Sequence, residues 1–150
     1  MTGPDKIGPV YVITDPGAAL PVAEQARAAA RGGAWAVQLR DKTASDAEIA
    51  GLAAALLAEL RPLGVRLFVN DRLEVARATG ADLHIGQTDG CPSAARAALG
   101  EGQMLGLSVE TVAHCAELPA GVAYLGAGPV RETATKPDAA PSLGVGGIAA

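Results

Sequence analysis

Charged and amide side chains follow two short apolar runs in the first half of the chain. Gln38, Arg40 and Lys42 alternate at the end of one run, and Asn70 and Asp71 end the next. Guanidinium and ammonium groups bind phosphate oxygens, and a carboxylate can share a divalent cation with the phosphates of a substrate. These residue types favour a site for an anion and a cation together. Arg40 and Lys42 could also lie along a solvated strand edge.

Polar residues follow apolar runs again in the second half of the chain. Asp89 and Ser108 each come at the end of such a run, and the segment after the last run contributes Thr133, Thr135 and Lys136. Hydroxyl groups can donate hydrogen bonds to phosphate oxygens, and Lys136 adds a positive charge. Ser108 could instead be only a small residue at a strand end. The last segment alone is consistent with a surface loop or with a phosphate-binding loop.

Two of the candidate residues, and a histidine in the run before Asp89, also have ordinary structural interpretations. Asp71 has Glu74 three residues later, which is the spacing of a helix N-cap, and Asp89 precedes Gly90, which is a turn signal. His84 lies within an apolar run, where a packed and hydrogen-bonded histidine is commoner than a ligand.

The apolar runs are short and β-like, and Ala-rich segments with helical spacing separate them. The clearest helix begins at a capping box of Ser45 and Glu48 and is followed by Gly64. Strands without clear alternation, separated by helices, predict a parallel sheet, either doubly wound or a (β/α) barrel. In both folds the carboxyl ends of the strands meet at one edge, so we expect the polar residues to gather there. The predicted strands are 10–14, 36–40, 66–70, 82–86, 104–108 and 123–127.

The composition fits a single domain that handles small molecules. The chain has 150 residues and a net charge of −4, which argues against a nucleic acid or an anionic membrane as partner. Its two cysteines lie far apart without a CxxC motif, so neither a disulfide framework nor a zinc site is expected. With no long apolar run and no signal-peptide pattern, we expect a cytoplasmic protein.

Six segments of the chain, in order, resemble the thiamine-phosphate synthase (thiamine-phosphate pyrophosphorylase) family. They are "YVITD", "VQLRDK", "LFVNDR", "ADLHIGQTD", "LGLSVET" and "YLGAGPVRETATK". The resemblance implies a TIM (β/α)8-type barrel and a transferase that joins hydroxymethylpyrimidine pyrophosphate to hydroxyethylthiazole phosphate, giving thiamine phosphate and pyrophosphate. It also implies Mg²⁺ and a dissociative mechanism, in which pyrophosphate leaves before the thiazole nitrogen attacks.

The resemblance further implies a role for each matching residue. The side chains that would bind the phosphorylated substrates are Gln38, Arg40, Lys42, Asn70, Ser108, Thr133, Thr135 and Lys136. Four of them count as catalytic, namely Arg40, Lys42, Ser108 and Lys136. The three cations would act on the leaving pyrophosphate, and Ser108 would contact either the leaving group or the pyrimidine amine. Asp71 and Asp89 would hold magnesium.

The chain departs from the family pattern at its C-terminal end, because it contains about six β/α units where the barrel has eight. Residues 143–148, "LGVGGI", could be the turn into a sixth helix or a displaced seventh-strand glycine loop. We favour the turn, because too few residues remain for a crossover helix. The unpaired edges of an incomplete barrel also predict self-association into a homo-oligomer.

Two other functions stay open. A thiazole tautomerase is a relative on the same fold that needs no metal, and the carboxylates of "NDR" and "GQTD" speak against it. The other is a non-catalytic fragment that binds phosphorylated ligands without turnover.

Overall fold

The fold, given by a computed structural model, is a parallel sheet with helices between its strands. The structure describes residues 7–116, 118–132 and 140–149. Within these ranges the strands are β1 (Tyr11–Ile13), β2 (Ala36–Leu39), β3 (Arg66–Asn70), β4 (Asp82–Ile85), β5 (Leu105–Val109) and β6 (Tyr124–Ala127). The helices are α1 (Val22–Arg31), α2 (Asp46–Leu60), α3 (Leu73–Thr79), α4 (Pro92–Ala98), α5 (Val112–Ala116) and α6 (Gly144–Ala149). None of the described helices is both long and apolar enough to cross a membrane.

The strand order decides between the two predicted architectures. The described strands form one six-stranded sheet in the order β1-β2-β3-β4-β5-β6, and every neighbouring pair is parallel. A doubly wound sheet reverses its strand order at a switch point, whereas a barrel adds each strand beside the one before it. The chain is therefore a half-barrel of the TIM type, and all six predicted strands are confirmed with small differences at their ends.

The two faces of the sheet carry different side chains, because successive residues of a strand point to opposite faces. The outer face packs against α2 and its neighbouring helices in one apolar core, and its strand residues are Val37, Leu39, Leu67, Val69, Leu83, Ile85, Leu105 and Leu107. The inner face carries aromatic and polar residues in register, with Gln38 beside Phe68 and His84 beside Gly106. Burial on the outer face holds the strands in place, so the inner face is available for polar groups.

Helix α2 begins as its sequence predicts. The Ser45 side chain accepts a hydrogen bond from the Glu48 backbone N–H, and the Glu48 carboxylate accepts one from the Ser45 N–H. This confirms the capping box. The helix ends at Leu60 and continues as a 3-10 turn, since Pro62 has no N–H to donate to the preceding turn, and Gly64 closes it with a φ of 72°.

An ion pair joins the amino-terminal ends of β3 and β4, away from the predicted site. The Arg66 guanidinium donates to both carboxylate oxygens of Asp82, at 2.7 and 2.6 Å, and to the Gly102 carbonyl at 3.0 Å. The Met104 N–H also donates to the Asp82 carboxylate, at 2.8 Å. Asp82 is buried, and these partners compensate for the loss of water around its charge.

The last described segment is helical. Gly144–Ala149 forms α6, and Leu143 and Gly144 donate backbone hydrogen bonds to the carbonyls of Pro129 and Val130. The turn into a sixth helix is therefore the correct interpretation of this segment, and no seventh strand lies within the described ranges.

Candidate active site

A cleft of about 430 Å³ lies at the carboxyl ends of the strands. Residues from each of the six strands or from the loops that follow them line it. It brings together seven of the residues singled out in the sequence, namely Gln38, Arg40, Lys42, Asn70, Asp71, Asp89 and Ser108. The prediction that polar strand ends meet at one edge is therefore confirmed. Thr133, Thr135 and Lys136 lie outside the described residues.

The end of β2 places an amide and two cations along one wall of the cleft. Gln38 is buried, Arg40 is half-buried and Lys42 is exposed. Between the two cations, the Asp41 carboxylate accepts hydrogen bonds from the Thr43 and Ala44 N–H groups at 2.8 and 3.1 Å. The Thr43 bonds keep the pKa of Asp41 below its usual value, so this carboxylate stays charged and holds the turn after Lys42. The wall is thus accessible to solvent and fixed in shape.

Asp71 has an unusual backbone conformation at the end of β3. Its φ is 64°, and it is the only described residue other than glycine with a positive φ. The N-cap interpretation of Asp71 is wrong, because Arg72 occupies the cap position of α3 and makes no side-chain cap bond. The Asp71 N–H donates to the His84 carbonyl at 2.9 Å, which ties the turn to β4. Left-handed backbone at a non-glycine residue is strained, and such strain concentrates at functional sites.

The cleft brings two carboxylates together. Asp89 lines the cleft and contacts Asp71. Its carboxylate also accepts a hydrogen bond from the Gly86 N–H at 2.6 Å, so Asp89 is a turn residue as well. Burial, followed by the hydrogen bond and charge of Asp89, raises the pKa of Asp71 to about 6. Lys42 and Arg40 oppose that shift. Two adjacent carboxylates bordered by cations can hold a divalent ion that also binds an anionic ligand.

Four aromatic side chains, which are all that the chain contains, form one cluster on the inner face beneath the cleft. The ring centroid of Tyr11 lies 5.4 Å from that of Phe68, 5.5 Å from that of Tyr124 and 6.0 Å from that of Trp35. Tyr124 lies over Gly106, where a Cβ atom would overlap the phenol ring. The packing of Tyr124 in this cluster therefore requires glycine at position 106.

Hydrogen bonds connect the aromatic cluster to the cleft. Gln38 Nε2 donates to the Tyr11 hydroxyl at 2.9 Å, and the Tyr11 and Tyr124 hydroxyl oxygens lie 2.7 Å apart. His84 bonds through Nδ1 to the Tyr124 hydroxyl at 2.8 Å and through Nε2 to Ser108 Oγ at 2.9 Å. His84 is hydrogen-bonded as expected, but it also lines the cleft.

The sequence interpretation missed several residues of the cleft and its floor. Glu110, Gln87 and Thr88 line the cleft, and Tyr11 and Tyr124 lie beneath it. Glu110 lies two residues after Ser108, so strand alternation would have placed both on the same face. The same alternation could have indicated the two tyrosines, each of which lies on the inner face of its strand.

The fold and the cleft together define a class of protein. It is a TIM-type β/α protein whose strand ends combine cations, carboxylates and hydroxyls in one cleft. Within that class, the chain belongs to the thiamine monophosphate synthase family, whose model matches residues 10–150.

Known proteins agree with this assignment. The chain is 47% identical to a thiamine-phosphate synthase of Xanthobacter autotrophicus, over 90% of this chain and 66% of the relative. It is 46% identical to one of Solidesulfovibrio magneticus, over 93% of this chain and 68% of the relative. A solved structure, the thiamine phosphate pyrophosphorylase from Pyrococcus furiosus, superimposes with a TM-score of 0.83 at 32% identity, over 97% of this chain and 69% of that one. The chain thus spans about two thirds of the length of these relatives.

Proposed function

We propose that the chain acts as a thiamine-phosphate synthase. The reaction would join hydroxymethylpyrimidine pyrophosphate to hydroxyethylthiazole phosphate and release pyrophosphate. The observation that carries the proposal is the cleft itself, in which Arg40 and Lys42 face the same space as the carboxylates Asp71 and Asp89. Membership in the family suggests which substrates these charged side chains would bind.

The side chains of the cleft suit a reaction in which a charged group leaves. Arg40 and Lys42 would bind the pyrophosphate and stabilise the negative charge that grows as its bond to the pyrimidine methylene breaks. Asn70 would donate to a phosphate oxygen, and Gln38 would face the pyrimidine. The thiazole ring nitrogen is already a nucleophile, so the step needs no general base. Stabilisation of charge, rather than proton transfer, is the work that these residues would do.

The carboxylate pair fits a magnesium ion. Within the described ranges no group of three or more His, Cys, Asp or Glu side chains forms a metal cage. Magnesium, however, commonly uses one or two carboxylates and takes its other ligands from phosphates and water. Asp71 and Asp89 would hold it, and their contact and the raised pKa of Asp71 fit a site for a cation. When bound, the ion would supply further positive charge to the leaving pyrophosphate.

The remaining expectations are part of the same proposal. Thr133, Thr135 and Lys136 would bind the thiazole phosphate, with Lys136 also reaching the pyrophosphate. A cytoplasmic location and self-association through unpaired strand edges stay predictions. Within the described sheet, β1 and β6 each have one neighbouring strand.

The test is formation of thiamine phosphate by the purified chain with both substrates and magnesium. Asp71→Asn should lower kcat by roughly 100-fold, the order found when one charge-stabilising group is lost. Glu74→Gln is the matched control, because Glu74 is an exposed carboxylate three residues away that pairs with Arg77 outside the cleft. Turnover that needs neither Asp71 nor magnesium would contradict the proposal. Substrate binding without turnover would instead support the non-catalytic fragment.

A further inference from the structure

Arg72 joins the two loops that carry charged side chains of the cleft, although it does not line the cleft itself. It directly follows Asp71 at the end of β3. Its Nη2 donates to the carbonyl of Asp41 at 2.8 Å and to that of Ala44 at 2.6 Å, and its Nη1 pairs with the Asp46 carboxylate. All three acceptors lie between the end of β2 and the first turn of α2, so one side chain connects the end of β3 to the loop after β2.

The three bonds of Arg72 differ in how firmly they can hold a loop. A guanidinium has only donors, so the direction of each bond is unambiguous. The Asp46 side chain is 69% exposed, and an ion pair that is open to water contributes little. The Arg72 side chain, however, is only 19% exposed, and the other two acceptors are carbonyls of the backbone itself. Arg72 therefore holds the loop mainly through its two carbonyl bonds.

One of these carbonyls lies between the two cations of the cleft wall. Asp41 separates Arg40 from Lys42, and its carbonyl belongs to the peptide bond that leads to Lys42. Because a peptide bond is planar and rigid, a fixed carbonyl also fixes the start of the next residue. The Asp41 carboxylate accepts two backbone N–H groups of the same loop. The loop is thus held through two of its N–H groups and two of its carbonyls, and the backbone that carries Lys42 has little freedom to move.

The same guanidinium constrains the backbone of Asp71. A left-handed conformation at a residue with a Cβ atom persists where the surrounding structure enforces it. The bond from the Asp71 N–H to the His84 carbonyl is one such constraint, and the anchored side chain of Arg72 is another. Asp71 lines the cleft, where Arg40 and Lys42 lie close enough for their charges to act on its carboxylate. The two loops that Arg72 joins therefore carry opposite charges that face the same space.

We propose that Arg72 is a positioning residue that sets the spacing between the cations Arg40 and Lys42 and the carboxylate of Asp71. The ligand that needs this spacing is a phosphate group that binds the cations and a divalent ion at the same time. Magnesium pyrophosphate has this chemistry, and its assignment to the leaving group of the reaction rests on the proposed function. The link between the two loops does not depend on that function.

The first experiment measures two affinities of the complete chain by calorimetry, one for Mn²⁺ alone and one for magnesium pyrophosphate. Arg72→Met keeps much of the aliphatic side chain and removes every donor. It should weaken magnesium pyrophosphate binding roughly tenfold and Mn²⁺ binding less than about twofold, since the metal alone needs the carboxylates but not their distance from the cations. Equal losses would show that Arg72 acts only on the turn at Asp71. That result, or no loss in either affinity, would overturn the proposal.

Three matched variants separate positioning from charge and from stability. Arg72→Lys keeps the charge, but an ammonium lacks the planar fork of a guanidinium, so it should recover only part of the lost affinity, and full recovery would refute the proposal. It also replaces Arg72→Met in the comparison if the methionine variant does not fold. Asp46→Asn removes the exposed ion pair and leaves both carbonyl bonds, so it should bind like the wild type. Ser45→Ala weakens the same end of α2 without removing a bond of Arg72 and should also bind like the wild type. A tenfold loss in either control would contradict the role given to the carbonyl bonds.

The second experiment tests the link between the loops without any ligand. Amide hydrogen exchange, measured by mass spectrometry on peptides that cover residues 41–46, should be roughly tenfold faster in Arg72→Met than in the wild type and unchanged in Asp46→Asn. Unchanged exchange in Arg72→Met would overturn the proposal even for an active enzyme. If the wild-type chain does not bind magnesium pyrophosphate, the proposed function fails together with the ligand named here. The exchange result then decides by itself whether Arg72 holds the loop.

Discussion

Gly106→Ala is expected to destabilise the protein, although the change adds one methyl group. The backbone of Gly106 has no positive φ, so alanine meets no conformational strain there. Its Cβ atom, however, would overlap Cζ, Cε1 and the hydroxyl of Tyr124, well inside the roughly 3.5–4 Å of an ordinary contact. The phenol ring must move, and its hydroxyl must leave Tyr11 and His84.

The expected size of this effect follows from three contributions. Forcing extra volume into a packed cluster costs about 1–3 kcal/mol, and losing two hydrogen bonds costs about 1 kcal/mol each. Alanine restricts the unfolded chain and returns about 0.4–1 kcal/mol. Gly106→Ala should therefore lower the free energy of unfolding by roughly 2–5 kcal/mol.

The assay is urea unfolding followed by circular dichroism, with Gly51→Ala as the matched control. Gly51 lies inside α2, and a Cβ atom added there would have no neighbour within 4 Å, so the same chemical change should stabilise the protein by about 0.5–1 kcal/mol. Tyr124→Leu should restore part of the stability lost in Gly106→Ala, because a leucine side chain is shorter than the phenol. A Gly106→Ala protein as stable as the wild type would refute the packing described for Tyr124.

Three further predictions concern single side chains. Arg66→Met should lower the free energy of unfolding by about 3 kcal/mol, because it leaves the buried Asp82 carboxylate without its guanidinium, and Arg66→Met with Asp82→Asn should recover part of the loss in urea unfolding. Ser45→Ala should cost about 1 kcal/mol in the same assay through loss of the cap, and no loss would contradict the capping box. Because burial raises the folded-state pKa of Asp71 from 3.8 to about 6, its contribution to stability falls as pH rises through that window. Asp71→Asn should therefore gain about 1 kcal/mol relative to wild type between pH 4 and pH 7, after allowance for solvent screening of a half-buried group, and an unchanged difference between these pH values would show that the pKa is not raised.

The sequence was sufficient to predict the strands and the edge where their polar ends meet. Apolar runs on the outer face are a strong signal, because each strand must bury that face against helices. The capping box of Ser45 and Glu48 was equally readable, since both of its hydrogen bonds form within four residues. These features depend on neighbours in the sequence or on a repeated pattern.

The floor of the cleft could not be predicted in the same way. Tyr11 and Tyr124 are 113 residues apart, and their contact depends on the curvature that brings β1 toward β6. The prediction that Asp71 caps α3 was wrong for a local reason. An aspartate three residues before a glutamate is typical of an N-cap, but the backbone turns left-handed at Asp71 and the helix begins one residue later than the cap pattern requires.

The aromatic cluster gives the protein an internal optical probe. Trp35 is the single tryptophan, and its ring centroid lies 6.0 Å from that of Tyr11 and 6.4 Å from that of Tyr124. At such distances light absorbed by a tyrosine is transferred almost completely to the indole, so the folded protein should emit as a tryptophan whichever ring is excited. A ligand or substitution that shifts Tyr124 changes the surroundings of the indole ring, which the phenol contacts edge-on, and so changes the tryptophan emission. The state of the cleft floor can therefore be followed by fluorescence without an attached label.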